Sequence, residues 1–237
     1  MLLTLKVLFF VMNSKTAKEM LHCGRFIFIP ILQSKRKSPL KIYGDTRSGN
    51  CYKLQLLASL LNLDYQWIAV DILKGETRLD EFVAKNSNGK VPLLELDDGR
   101  CITESNAIVH YLAQNSPLLP TDHFEQAKAL QWMFFEQYSH EPYIAVARFI
   151  NQYLGLPDDR KAEYHSKQEG GHKALAVMEA QLTQTPYLVG QNYTIADICL
   201  YGYTHVADEG GFDLSGYPGI NAWLKRIAAQ PKHCLME

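Results

Sequence analysis

The sequence predicts a small α/β domain followed by an all-helical domain, and three observations support this fold class. Strand and helix patterns alternate over residues 40–113. The segment Gln114–Asp122 contains two prolines and indicates a linker. Beyond it the apolar residues recur with helical period, and no convincing strand pattern remains. We therefore predict domains at residues 39–115 and 123–237.

The first domain is expected to begin with a strand, a helix and a second strand. Leu40–Gly44 alternates apolar and polar residues as a short strand does. The next apolar residues share one face of a predicted helix: Leu54, Leu57, Ala58 and Leu61. Tyr65–Ile72 follows as a strand that we expect to be buried. A strand–helix–strand start favours parallel pairing of the two strands.

The second half of this domain predicts a hairpin and a helix. A short helical piece is expected near Leu79–Ala84. The strands Pro92–Leu96 and Cys101–Thr103 flank Asp97-Asp98-Gly99, and Asp-Gly between apolar runs is a strong hairpin signal. A helix is expected over Ser105–Ala113. The order β-α-β-α-β-β-α, with a parallel start and an antiparallel hairpin, is typical of the thioredoxin-like fold.

Local signals also mark the helices of the second domain. Pro142 lacks the N–H that an i−4 hydrogen bond needs, so it should kink the first long helix. Thr194 and Asp197 have the spacing of a capping box, and Gly202 behind them permits close helix packing. One apolar stripe is predicted to consist of Leu130, Met133 and Phe134.

Composition excludes several function classes. The 237 residues are 47% hydrophobic and 21% charged, as in ordinary globular proteins. The net charge of −1 gives no sign of a nucleic-acid partner, and no apolar run is long enough to span a membrane. The five cysteines are scattered without a CxxC pair. They predict reduced thiols in a cytoplasmic location and no metal site.

Residues 1–38 are basic and contribute no motif to either domain. Two interpretations stay open. The segment is either a leader without a catalytic role, or a mis-assigned start ahead of Met20 or a later codon. In both cases we expect it to lie outside the folded core.

Three motifs agree in order and spacing with this architecture: NGKVP at residues 88–92, ESNAI at 104–108 and TIAD at 194–197. From about Leu40 onward the chain resembles a soluble glutathione S-transferase of bacterial type. The resemblance implies an enzyme that conjugates the glutathione thiolate to electrophilic small molecules, as in detoxification. It also implies a homodimer, a hydrophobic electrophile as second substrate, and glutathione as co-substrate without a bound cofactor.

The resemblance implies which residues hold glutathione. The backbone of Val91 would pair with the cysteinyl unit, with a cis bond to Pro92; the alternative is a trans proline at an edge strand. Glu104 and Ser105 would bind the γ-glutamyl end, where a helix N-terminus favours a carboxylate. Ser105 could instead only cap its own helix. Lys90 would meet the glycyl carboxylate, or be solvated.

The catalytic position should lie after the first strand. Thioredoxins have CxxC at this turn, whereas this chain has Ser48-Gly49-Asn50-Cys51, so the thiol must come from bound glutathione. A hydroxyl from Ser48 and the helix N-terminus can lower a thiol pKa, and Asn50 can reach the same sulfur. Three alternatives stay open: Ser48 as a simple N-cap, Tyr43 as the donor, and a mixed disulfide at Cys51.

An electrophile pocket is expected on the first long helix of the second domain. Tyr138, Glu141 and Arg148 are spaced to share a face of this otherwise apolar helix. They either contact substrate or form a polar interface between the domains. Besides conjugation, two further functions stay open: glutathione-dependent disulfide reduction on the same fold, and non-catalytic glutathione binding.

Overall fold

The computed structural model of the protein describes residues 40–236. Four strands form one sheet in the order β2-β1-β3-β4. They are β1 (Leu40–Gly44), β2 (Tyr65–Ala69), β3 (Leu93–Glu95) and β4 (Cys101–Thr103). β1 pairs in parallel with β2 and antiparallel with β3, and β3 pairs antiparallel with β4. The predictions for residues 1–38 lie outside the described residues.

Three helices accompany the sheet: α1 (Gly49–Leu61), α2 (Asp80–Val83) and α3 (Ser105–Leu112). A 3-10 turn at Glu76–Arg78 precedes α2. The predicted element order and the mixed sheet of a thioredoxin-like domain are thus confirmed.

The prediction that the second strand is buried is wrong. β2 ends at Ala69, and each of its residues is either partly buried or exposed. The reason is topological, because β2 lies at the edge of the sheet and pairs only with β1.

The chain from His123 onward is helical in its described elements. The α-helices are α4 (His123–Phe135), α5 (Glu141–Arg148), α6 (Lys161–Leu182), α7 (Ile195–Thr204) and α8 (Pro218–Ala228). Two π-helical turns, Glu136–His140 and Phe149–Tyr153, flank α5. Short 3-10 turns lie at Asp158–Arg160 and Ala207–Gly210. No helix in residues 40–236 is long and apolar enough to cross a membrane.

The predicted break at Pro142 takes the form of a π turn. Pro142 lies in the first turn of α5, and the N–H of Glu141 bonds to the carbonyl of Glu136, five residues back. A wider turn adds a residue, so side chains before and after it no longer follow α-helical spacing. The turn therefore changes the position of Tyr138 relative to Glu141 and Arg148, the residues expected to share a face with it.

The helix α7 is buried along its whole length and forms the centre of the second domain. Its capping box between Thr194 and Asp197 is confirmed. The Asp197 carboxylate also accepts hydrogen bonds from the backbone N–H of Leu188 and from Trp223 Nε1, both at 2.9 Å. These bonds connect the start of α7 to the preceding loop and to α8.

The predicted stripe on α4 divides between the core and the surface. Met133 is buried together with Ala129 and Trp132, whereas Leu130 and Phe134 are exposed. Of the predicted stripe, only Met133 therefore contacts the core, and Ala129 and Trp132 take the places expected for the other two residues. An apolar face is left on the outer side of the helix.

Candidate functional site

A groove between the sheet domain and the start of α5 collects most of the predicted glutathione residues. Its cavity volume is about 60 Å³. Its lining consists of Asn50, Asn86, Lys90, Val91, Pro92, Glu104, Ser105, Gln137 and Glu141. Of the predicted site residues, Ser48, Tyr138 and Arg148 do not line it.

The Val91–Pro92 segment offers an open backbone edge to this groove. The peptide bond between the two residues is cis. No described residue hydrogen-bonds to the N–H or C=O of Val91. Next to it, the carbonyl of Lys90 accepts from Asn86 Nδ2 at 2.7 Å, which fixes the approach to the segment. An extended peptide can pair with a free edge of this kind.

The other end of the groove is the N-terminus of α3. Glu104 precedes the helix with φ 67° and ψ 112°, a backbone conformation that is uncommon outside glycine. Its side chain is exposed, and its carboxylate bonds to no described residue. Ser105 is the first helical residue and makes no capping bond, so the alternative of a simple cap does not hold. Free N–H groups at this helix end favour an anion.

Asn50 also lines the groove, and it connects the start of α3 to the start of α5. Its Nδ2 donates to Glu141 Oε1 at 3.0 Å, and its Oδ1 accepts from the Ser105 hydroxyl at 3.1 Å. Gln137 Nε2 donates to the other oxygen of Glu141 at 2.6 Å. Asn50 is therefore held from both domains.

Ser48 takes the place expected of an N-cap. Its backbone is extended, and its hydroxyl oxygen accepts from the N–H of Cys51 at 3.4 Å. The residue is 8% exposed and is not among the residues that line the groove. The cap interpretation is thus confirmed for the hydroxyl oxygen. A role for Ser48 at the glutathione sulfur stays a prediction.

The structure fits two alternatives to Ser48 poorly: Tyr43 as the donor to the thiolate, and Cys51 as the site of a mixed disulfide. The hydroxyl of Tyr43 donates to Glu95 Oε2 at 2.8 Å, and its ring lies in a separate cleft with Phe82 and Lys85. Cys51 is fully buried, and burial raises the pKa of its thiol to about 12. A thiol with that pKa is a poor nucleophile near neutral pH.

The expectation that Tyr138, Glu141 and Arg148 share a face is wrong. Tyr138 is 86% exposed, Glu141 lines the groove, and Arg148 is buried. Arg148 donates to Glu209 Oε2 at 2.6 Å and to the carbonyl of Arg47 at 2.7 Å. The π turn at Glu136–His140 is the physical cause for Tyr138, which lies within this turn and not on α5, whereas Glu141 and Arg148 keep their spacing of seven on α5. A role for the three in electrophile binding stays a prediction.

Sequence reasoning missed three residues. Lys53 lies fully buried below the groove, and Asn86 and Gln137 line it. A signal existed for Lys53, because it falls on the buried stripe of α1 four residues before Leu57, and a buried lysine needs partners. The two amides belong to polar stretches without a pattern that would have distinguished them.

Comparisons with known proteins identify the family of both domains. The family model "Glutathione S-transferase, N-terminal domain" matches residues 38–114, and "Glutathione S-transferase, C-terminal domain" matches residues 128–231. Disulfide-bond oxidoreductase YfcG of Escherichia coli is 30% identical over 189 residues, covering 77% of this chain and 87% of the relative. Glutathione S-transferase 3 of Zea mays is 30% identical over 206 residues, covering 82% and 91%. The crystal structure of a glutathione S-transferase from Pseudomonas fluorescens superposes with a TM-score of 0.83 at 61% identity, covering 84% of this chain and 99% of that one.

Proposed function

This chain belongs to the glutathione S-transferase family, and on that premise we propose that it binds glutathione in the groove at Asn50 and transfers its sulfur to an electrophilic carbon. One observation carries the proposal. The amide of Asn50 lines the same groove as an unpaired backbone edge at Val91 and an unpaired carboxylate at Glu104. Those are the two kinds of group that a γ-glutamyl tripeptide requires.

Each part of glutathione has a complementary group in this arrangement. The cysteinyl unit pairs with the N–H and C=O of Val91 as an added strand. The α-amino group of the γ-glutamyl end meets Glu104, and its carboxylate meets the backbone N–H groups at the start of α3. The exposed ammonium of Lys90 is near enough to the groove to meet the glycyl carboxylate.

The chemistry requires a thiolate. A free thiol has a pKa of about 8.5 and is only a few per cent ionised at neutral pH. Asn50 donates to the sulfur from the first turn of α1, with Ser48 beside it. A hydrogen bond to a charged acceptor contributes about 1.5–3 kcal/mol, which lowers the pKa by roughly one to two units. The thiol proton leaves to solvent, the sulfur attacks carbon, and the leaving group departs with its electron pair.

Glutathione-dependent disulfide reduction is a second candidate, favoured by the likeness to YfcG, a disulfide-bond oxidoreductase. Because Cys51 is buried, the attacking sulfur would again be that of bound glutathione. It would displace one thiolate from a substrate disulfide and form a mixed disulfide. A second glutathione would then release the other thiol, giving oxidised glutathione.

A paired assay tests the proposal and separates the candidates. Glutathione binding is measured by calorimetry, and turnover is measured with chlorodinitrobenzene and with hydroxyethyl disulfide. We expect binding, with turnover of the aryl halide that depends on Asn50. Turnover of the disulfide alone would favour the second candidate. Failure to bind glutathione would overturn both enzymatic functions.

We also propose that two copies assemble through the outer face of α4. Leu130 and Phe134 are exposed there and line an apolar groove with Ala107 and His110 of α3. Pairing the small domain of one chain with the helical domain of another would cover this face. A second copy is the occupant we propose, because the family resemblance implies a homodimer and the described chain leaves this apolar face uncovered.

We further propose a reducing, cytoplasmic location. Three cysteines in the described part of the chain, Cys51, Cys101 and Cys199, are free thiols. Reduced thiols of this kind are usual in compartments rich in glutathione.

A further inference from the structure

A chain of hydrogen bonds leads from a buried lysine to the groove. Lys53 Nζ lies 3.3 Å from Ser105 Oγ, Ser105 Oγ lies 3.1 Å from Asn50 Oδ1, and Asn50 Nδ2 lies 3.0 Å from Glu141 Oε1. We refer to these four residues as the Lys53–Glu141 chain. It begins on the buried side of α1 and ends at the first residue of α5.

The chemistry of its two ends fixes the direction of every bond between them. The Lys53 ammonium can only donate, and an ionised Glu141 carboxylate can only accept. The Asn50 atom facing Glu141 must therefore be the NH₂ group, which leaves Oδ1 facing Ser105. The Ser105 oxygen accepts from Lys53, so its single hydrogen is directed to Asn50. Neither the amide nor the hydroxyl is free to reverse.

Lys53 is itself held firmly in place. Its Nζ also donates to Glu136 Oε1 at 2.9 Å and to Asn106 Oδ1 at 3.1 Å, and the Lys53 and Glu136 side chains are fully buried. Burial is the largest single influence and would lower the pKa of Lys53, but the surrounding acidic groups, with Glu136 foremost, together outweigh it and the pKa is raised. The lysine is therefore an ammonium at physiological pH.

We propose that Lys53 is a positioning residue for the glutathione reaction, acting through Ser105 to hold the Asn50 amide with one N–H directed to Glu141 and the other free for the glutathione sulfur. The inference rests on the proposed function of the groove. It changes the part assigned to Ser105, whose hydroxyl hydrogen is committed to Asn50 and not to the γ-glutamyl carboxylate. The γ-glutamyl end is then bound by Glu104 and by the backbone N–H groups of α3.

Ser105→Ala is the decisive variant, because it breaks the chain and keeps the backbone N–H groups. The ultraviolet absorption of the bound thiolate is titrated against pH, and the glutathione Kd is measured by calorimetry. We expect the pKa of the bound thiol to rise by about one unit. We expect kcat to fall roughly ten- to a hundredfold, with little change in Kd.

Two further variants separate positioning from general structural damage. In an Asn50→Ala background, Ser105→Ala should add nothing, since both act on the same donor. The charge-matched pair Lys53→Met with Glu136→Gln should raise the thiol pKa, whereas Lys85→Met, outside the groove, should not. Thermal unfolding monitors the fold of each variant.

The outcomes separate a failure of the positioning role of Lys53 from a failure of the proposed function. If wild-type protein binds glutathione and Ser105→Ala raises Kd while the thiol pKa stays constant, the positioning role is wrong and the groove assignment survives. If wild-type protein does not bind glutathione, the proposed function fails and the inference fails with it.

Discussion

The Nδ2 atom of Asn50 lies 3.0 Å from Oε1 of Glu141, and this bond joins the first helix of the sheet domain to the helical domain at the groove. A second contact between the domains lies close by in sequence, where Arg148 donates to the carbonyl of Arg47 at 2.7 Å. Both bonds hold the turn and the first helical turn that follow β1. The site is therefore built by two domains, and neither domain alone would fix the Asn50 side chain.

Replacement of Asn50 should affect turnover more than replacement of Ser48. Asn50→Ala removes the donor that lines the groove, and we expect kcat to fall roughly a hundredfold, the scale of losing one donor to an anion. Ser48→Ala should have a smaller effect, because this side chain does not line the groove and caps α1. The measurement is kcat against pH, with Cys51→Ser as a near-neutral control. A larger loss in Ser48→Ala would restore the order expected from sequence.

Sequence patterns predicted the fold well because they report backbone preferences. The element order and the Asp-Gly hairpin follow from local periodicity and turn chemistry, and both are present. The cis bond before Pro92 was available only through the resemblance to a family.

The directions of individual side chains were harder to predict. Ser48 and Asn50 lie two residues apart on the same turn, so only packing decides which one lines the groove. The π turn before Glu141 changes the helical spacing on which the predicted face depended. The buried role of Lys53 could not be predicted from local patterns, because its partner Glu136 lies in the other domain.

Glu104→Gln should weaken glutathione binding while leaving kcat at saturation nearly unchanged. The exposed carboxylate has no partner in the described chain and is proposed to meet the α-amino group. Losing one charged hydrogen bond costs about 1.5–3 kcal/mol, so Kd should rise roughly ten- to a hundredfold. Calorimetry measures it, with Glu81→Gln on exposed α2 as a control. An unchanged Kd would remove Glu104 from the site.

Gly202→Ala should destabilise the protein. A Cβ at this position would lie 2.8 Å from Lys53 Cγ and 2.9 Å from the carbonyl of Gly49, both on α1. Overpacking of this kind costs about 1–3 kcal/mol of unfolding free energy. Urea denaturation measures the change, and Gly216→Ala is the matched control because a Cβ there meets no atom within 4 Å. Equal stability of the two variants would contradict close packing of α1 on α7.

Glu95 gives the sheet domain a pH-dependent contribution to stability. Hydrogen bonds from Lys41 and Lys85 lower the pKa of its carboxyl from 4.5 to about 2. Because the folded pKa is depressed, the ionised group stabilises the fold above about pH 4.5, and this contribution is lost as the pH falls toward 2.

Glu95→Gln should therefore lower the unfolding free energy near neutral pH, with a deficit that shrinks as the pH falls from about 4.5 to about 3. Urea denaturation at several pH values measures the difference from wild type. Glu169→Gln, at an exposed carboxylate of α6 without an ion pair in the described chain, should show no such trend. A deficit that stays constant with pH would show that the pairing contributes little.

The last prediction concerns assembly, for which the apolar face of α4 is the proposed contact. Phe134 is 70% exposed and lines the groove between α3 and α4, so a second copy that covers it would bury a large aromatic side chain. Phe124 is 73% exposed on the same helix but does not line that groove, which makes it a matched control. Sedimentation velocity at micromolar concentration should show a dimer for wild type and for Phe124→Asp, and a monomer for Phe134→Asp. A monomeric wild type would rule out the homodimer, and a dimeric Phe134→Asp would move the contact to another face.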